Sequence, residues 1–468
     1  MKVLKFGGTS VGSIDSLRNV KRIVESLDSP AVVIVSALGG LTDRLIATAK
    51  DAAQGRNTRI EAMEGFAKRH HDIIHELVPS DRQGEVLEKV DAMLTELGNL
   101  YLGVSLINEL PERTLDRIVS YGERMSSVIV AAIISGACHK DSLEFVKTEK
   151  WMGRNIADRK ATERLIQRNF PLPLQSHCVA GGFISRDEND GTITNLGRGG
   201  SDYTAALVAA ALDADMLEIW TDVDGFMTSD PRIIKDAKVI PDMSFVESME
   251  LCSFGAKVIY PPTIYPVFHK NIPIKILNTH RPEMPGTLIT DNATRLPDEV
   301  RGVSYVRDTA TVTIHGKAVK DIEEVNTRTY NAMARNGITV MLVTCDEDAM
   351  EFTISVRDAD ARKALETVRN EFSPEIGVGD VLSVYLTEHL AIIAVVKEGI
   401  RRMQGLGARL TSTLSRNGIT VNGLSEGTSD STLALIVNDD KAEQALKLVH
   451  DSCLLYTSPS PRDAHESR

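Results

Sequence analysis

The segment Arg335-Asn336-Gly337-Ile338-Thr339-Val340 recurs letter for letter as Arg416-Asn417-Gly418-Ile419-Thr420-Val421, 81 residues further on. Each copy follows a helix-like stretch and precedes an alternating strand, Glu351 to Val356 and Thr432 to Val437. Asn-Gly at a helix end supplies the left-handed residue that turns the chain back into a strand. A turn can repeat by chance, but a six-residue identity with matching flanks marks two copies of one βαββαβ unit. The C-terminal part must therefore fold as a duplicated α/β unit.

Ahead of a break around Pro285-Gly286-Thr287 to Pro297 the pattern differs. The apolar runs Ala31–Val35, His177–Ala180, Leu217–Trp220 and Ile272–Leu277 read as strands covered on both faces. Helical stretches separate them, notably Arg117–Ile134 and Ser201–Leu212. This alternation predicts an α/β fold, a three-layer αβα sandwich on a mainly parallel sheet. The stretch Arg59–Leu102 is helical and charged and reads as an insertion on one side. A length of 468 residues suggests roughly three domains. We place them at 1–290, 300–388 and 389–453. Residues 454–468, with Ser458-Pro459-Ser460-Pro461, resemble translated sequencing-adapter sequence and are left out of the fold. That leaves open a natural chain continuing beyond His450.

A net charge of −12 argues against a nucleic-acid surface. No apolar stretch is long enough to span a bilayer, and no signal peptide is present, which predicts a cytoplasmic protein. Five scattered cysteines without a C-x-x-C pair fit a reducing compartment and no cysteine metal site. His71 and His75, four apart on a helix, lack a third ligand and read as a solvated face.

Chemistry concentrates in a few segments. Lys5-Phe6-Gly7-Gly8-Thr9-Ser10 joins a buried-looking strand to a helix that starts near Ser13. Such a junction brings backbone N–H groups and a point charge to a phosphate. The pattern G-x-x-x-x-G-K-[ST] is absent, so this is a phosphate site of another lineage. Ser120-Tyr121-Gly122-Glu123-Arg124-Met125-Ser126 sets a glycine and a charged pair inside an apolar helix. Leu196-Gly197-Arg198-Gly199-Gly200-Ser201-Asp202 opens another helix, with Ser201 expected as N-cap. Thr221-Asp222-Val223-Asp224-Gly225, Ser229-Asp230-Pro231-Arg232 and Phe254-Gly255-Ala256-Lys257 follow. Singly, each has an ordinary reading as turn or cap. Together they place cations, acids and anion-cradling turns at strand ends, where open α/β sheets bind ligands.

In order from Lys5 to Thr287 these segments resemble the aspartate kinase family of amino-acid kinases, and the repeats resemble its paired ACT units. The resemblance implies transfer of the ATP γ-phosphoryl group to the side-chain carboxylate of L-aspartate, with Mg²⁺. That is the first step towards lysine, threonine and methionine. Bringing two anions together costs about 4 kcal/mol at about 4 Å in an effective dielectric near 20, which cations and dipoles must offset. Lys5, with N–H groups of Gly7 and Gly8, is assigned to the transferring phosphoryl group, and Asp202 to orienting Lys5 and the metal-bound phosphates. Arg198 would hold the substrate carboxylate and Glu123 its ammonium, with Ser36, Thr42 and Ser201 lining the pocket. Thr221, Asp222, Asp230, Arg232 and Lys257 would form the nucleotide site.

Three positions depart from the family pattern: Met227 and Tyr260, where the family commonly has tyrosine and histidine, and the charged Lys320–Glu324 turn of the first repeat. The ACT pair implies an amino-acid effector, threonine favoured over lysine, and a homodimer or higher oligomer. It leaves open a homoserine dehydrogenase downstream. The competing readings are a related amino-acid or nucleoside-monophosphate kinase and a non-catalytic amino-acid sensor.

Overall fold

The computed structural model describes residues 1–151, 154–293, 300–346, 348–426 and 430–454; the expected foreign tail from residue 455 lies outside them. The Cα positions divide into two compact units. One holds Met1–Phe226, Pro241–Phe245 and Val258–Ala293, and the other Met227–Ile240, Val246–Lys257 and the described residues from Val300 onward.

The first unit is built on an eight-stranded sheet. Its strand order is Asp242–Met243, Thr287–Ile289, Ile274–Asn278, Met216–Thr221, Lys2–Phe6, Val32–Val35, Cys178–Gly181, Cys138–Lys140. Every pairing is parallel except that of Thr287–Ile289 with Ile274–Asn278. The strands form because their residues are apolar on both faces: Val3, Leu4, Phe6 and all of Val32–Val35 are fully buried. Leu4, Phe6, Val33 and Val35 share one core with helices Ile14–Glu25, Leu41–Ala53, Arg59–Leu77, Ser80–Ile107 and Glu112–Ile133. Helix Gly200–Ala211 packs on Lys2–Phe6 and Met216–Thr221. The result is the α/β fold with a mainly parallel sheet that the alternation predicts. The charged stretch from Arg59 forms two of these helices, separated at Val78-Pro79, where proline removes the N–H that continuation needs.

In the second unit the repeats share one antiparallel sheet. Its order is Leu342–Asp346, Glu351–Arg357, Gly302–His315, Ser383–Val396, Thr432–Asn438, Val421–Glu426. The two 14-residue strands run through both repeats. Thr309–His315 pairs with Glu351–Arg357, while Leu390–Val396 pairs with Thr432–Asn438. The second repeat takes its fourth strand from Gly302–Val306, which pairs with Ile392–Val396 although it precedes the first repeat in sequence. Val303 is fully buried with Ile393, Val395 and Leu435. The duplication extends beyond the hexapeptide. The register shifts near Asp308 (φ +54°) and His389 (φ +62°), again 81 residues apart. Both helices end as expected, with Gly337 and Gly418 left-handed at +68° and +71°, and with Ile338 and Ile419 donating back to Met333 and Leu414.

Two segments that the sequence groups with the first domain belong to the second unit. Val303 donates its N–H to the Thr228 carbonyl (2.8 Å). Ile234 lies in the second repeat's core, and Phe254 packs with Val306 and Ile392.

Val303→Asp should cost about 3 kcal/mol or more, because it buries an unpaired charge. In hydrogen exchange the amides of 391–396 and 432–438 should lose protection, while those of 312–314 and 352–356 keep theirs.

Candidate functional site

At the C-terminal ends of the central strands the first unit opens a cavity of about 290 Å³. Its walls are Lys5, Ser36, Thr42, Glu123, Arg198, Ser201 and Asp202, together with Phe183 and the glycines 197, 199 and 200. Seven side chains singled out in the sequence are thus brought together.

Parallel, in-register strands explain the convergence. Lys5 pairs across from Ile34 and Ile219, so Lys5 and Ser36 arrive at the same sheet edge. Lys5 is only 9% exposed, and its Nζ lies 2.6 Å from Asp202 Oδ1 on helix Gly200–Ala211. A largely desolvated pair of this kind fixes position more than it stabilises. Gly8 packs against Ala37 and Gly39, and its N–H has no hydrogen-bond partner among the described residues. Gly7 differs. Its N–H donates to the Trp220 carbonyl (3.1 Å), joining two strand ends.

Glu123 lies within helix Glu112–Ile133, inside the apolar face. Oε1 accepts the Ala37 N–H (3.1 Å), while the buried Oε2 has no partner among the described residues. Burial pushes the carboxyl up to about 8, against the opposing backbone hydrogen bond from Ala37. An orphaned, desolvated carboxylate oxygen in a cavity with two cations awaits a positive group.

Arg198 rides on a turn in which Gly197 and Gly199 are both left-handed (φ +71° and +70°). Gly199 is doubly required, since a Cβ there would fall 2.5 Å from Tyr260 Cβ. Tyr260, one of the three departures, therefore packs on the arginine's turn. Ser201 does not cap the helix. The cap is Gly199, whose backbone already turns, and Ser201 sits one residue inside.

The nucleotide candidates lie outside this cavity. Thr221 ends strand Met216–Thr221, its hydroxyl donating to Asp222 (3.2 Å). Asp230, Arg232 and Lys257 are in the second unit. Asp230 and Arg232 are paired at 2.6 Å, and Arg232's hydrogen bonds draw the Asp230 carboxyl below its ordinary value despite partial burial. Lys257 adds a weaker pull in the same direction. Met227 bridges to Val239.

Sequence reasoning missed Phe183 and a relay behind Arg198. Phe183 lines the cavity at φ +67°, uncommon for a bulky residue, with its N–H held by the Thr204 hydroxyl (3.1 Å). In the relay, Asp116 Oδ1 accepts from Asn195 Nδ2 (2.6 Å), and Asn195 Oδ1 accepts the Gly197 N–H (2.9 Å). Burial raises Asp116 to about 6, with neighbouring Glu112 adding to the rise. The signal was available: Asp116 stands two helical turns before Glu123, an acid on a face that should be apolar. Asp116→Ala should raise the concentration of arginine-bound substrate needed for half-maximal rate several-fold, with a smaller change in turnover. Asp116→Asn, which keeps an acceptor, should restore most of it. Steady-state kinetics on both variants would check this.

The model of the amino acid kinase family matches residues 1–278, and an ACT domain model matches residues 393–452. The chain is 30% identical to the bifunctional aspartokinase/homoserine dehydrogenase of Haemophilus influenzae, over 97% of this chain and 56% of that protein. It thus spans little more than half the length of that relative. It is also 30% identical to the lysine-sensitive aspartokinase 3 of Escherichia coli K12, over 96% of this chain and 98% of that one. Among solved structures, E. coli aspartokinase III in complex with aspartate and ADP superposes with a TM-score of 0.81 at 28% identity, covering 97% and 99% of the two chains. The chain belongs to the amino acid kinase family and, within it, to the aspartokinases.

Proposed function

We propose that the chain transfers the γ-phosphoryl group of ATP to the side-chain carboxylate of L-aspartate, giving 4-phospho-L-aspartate for lysine, threonine and methionine synthesis. The observation that carries this reading is the charge pattern of the 290 Å³ cavity. It offers an orphaned carboxylate oxygen for an ammonium, a guanidinium fork for a carboxylate, and an ammonium at the strand end for a phosphoryl group. An amino dicarboxylate plus phosphate matches all three. The E. coli structure bound to aspartate and ADP supports the same pair of ligands.

In this scheme Glu123 and Arg198 hold and orient aspartate, with Ser36, Thr42 and Ser201 completing the walls. Its side-chain carboxylate is already a nucleophile, so alignment and charge neutralisation are what the protein must supply. Lys5, held by Asp202, and the Gly8 N–H stabilise the transferring group. Thr221, Asp222, Asp230, Arg232 and Lys257 serve the nucleotide. Mg²⁺ would offset charge on the phosphates. Among the described residues no three metal-ligating side chains converge. The ion would be carried chiefly on phosphate oxygens and water, with Asp202 orienting the metal-bound phosphates.

The ACT repeats point to feedback by an amino acid, threonine favoured over lysine, in a homodimer or higher oligomer. Among the described residues the cysteines form no disulfide, which suits a reducing compartment. No helix among the described residues is long and apolar enough to cross a membrane.

Hydroxylamine trapping with Mg-ATP should give aspartyl hydroxamate from L-aspartate and none from L-glutamate. Lys5→Ala should lower the rate on the order of a hundredfold or more. Arg198→Ala should raise the aspartate requirement far more than that for ATP. Hydroxamate formed at the wild-type rate by Lys5→Ala would overturn the assignment.

Glu123 adds a pH signature. The folded state holds its proton more tightly than the unfolded chain does. The resulting stabilisation is therefore full below the ordinary value of 4.5 and is lost as pH rises to about 8. Substrate ammonium would expel that proton. Calorimetry in buffers of different ionisation enthalpy should show close to one proton released per aspartate bound near neutral pH, and none for Glu123→Gln.

A further inference from the structure

We propose that the first unit holds a second anion site, for a small oxyanion bearing carboxylate or phosphate groups. It is a cavity of about 540 Å³ between helix Glu112–Ile133 and the hairpin Ile184–Asn195, lined by Arg113, Arg117, Arg124 and Arg186 with Glu96 and Asp141. The volume suits a small metabolite.

The cavity's four guanidiniums outnumber its two acids, Glu96 and Asp141, and in a chain of net charge −12 this local excess calls for a further counter-charge. Glu96 accepts the Tyr121 hydroxyl (2.6 Å), and Asp141 accepts the Leu143 N–H (3.0 Å). At the rim Arg113 pairs with the exposed Asp190 (2.9 Å), and Arg186 donates to the Gly191 carbonyl (3.1 Å). Arg124 lies over the Tyr121 ring at 4.7 Å, a contact that keeps the guanidinium flat and its edge free. Arg117 reaches the Tyr121 hydroxyl. Among the described residues neither Arg117 nor Arg124 is ion-paired. Three guanidiniums that are not ion-paired among the described residues, with Arg113 paired at the rim, match bidentate recognition of carboxylate or phosphate.

None of these residues lines the aspartate cavity, so the two sites can be tested apart. Calorimetric titrations of the full chain would use citrate and, separately, inorganic phosphate. One equivalent of at least one probe should bind, about tenfold or more weaker to the Arg113→Ala/Arg117→Ala double variant and unchanged in Arg198→Ala. Both substitutions in the double variant are at exposed positions, so the fold should persist. Citrate alone binding would assign a polycarboxylate, and phosphate alone a phosphate ester. Binding of neither probe, equal binding by the double variant, or loss in Arg198→Ala would overturn the site, the last by assigning the anion to the aspartate cavity.

Discussion

The ammonium of Lys5 stands at the end of a strand whose core residues are wholly buried, and Asp202 holds it there. Neither group could occupy this edge alone without a large desolvation cost. The strand has neighbours on both sides in fixed parallel register, so it sets the coordinate from which the other groups are placed. Ser36 follows the strand beside it, Phe183 follows the next, and Thr221 ends the one on the other side. Helix Gly200–Ala211, which brings Asp202, also carries the turn of Arg198 at its start.

Glu123 shows the opposite use of burial. An apolar helix face takes in a carboxyl group and partners only one of its oxygens. In a purely structural core this would be a fault. Here the unmet demand is complementary to a ligand's positive charge, in a cavity that Lys5 and Arg198 also line. In the proposed scheme the cavity would discriminate by what it leaves unpaired: a dicarboxylate lacking the ammonium would face a neutral, protonated wall.

Local chemistry was legible in the sequence where it is local in fact. The apolar runs at Val32–Val35 and Met216–Thr221 form strands, Ser13 caps its helix through Ser16, and the twin Asn-Gly segments end theirs. The cavity side chains were legible because an acid inside an apolar helix, or an arginine among glycines, has few structural uses. What depends on distant pairing was not legible. The Gly7 amide meets a carbonyl more than 200 residues away, and no local pattern announces that. The Asp116–Asn195–Gly197 relay joins a helix to a hairpin that are separated in sequence. The segments 227–240 and 246–257 look like connections within the first domain, yet their backbone and apolar partners lie at Val303, Val306 and Ile392.

Because Gly302–Val306 completes the repeat that follows the other one, the duplicated halves are clasped like links of a chain. During synthesis this strand emerges first and must wait roughly ninety residues for its partner, a delay whose entropic cost is modest but whose exposed edge invites wrong pairing. A cut between the copies would leave the second without its fourth strand. Whatever ancestral doubling produced them, the two can now be inherited, moved or lost only as one piece.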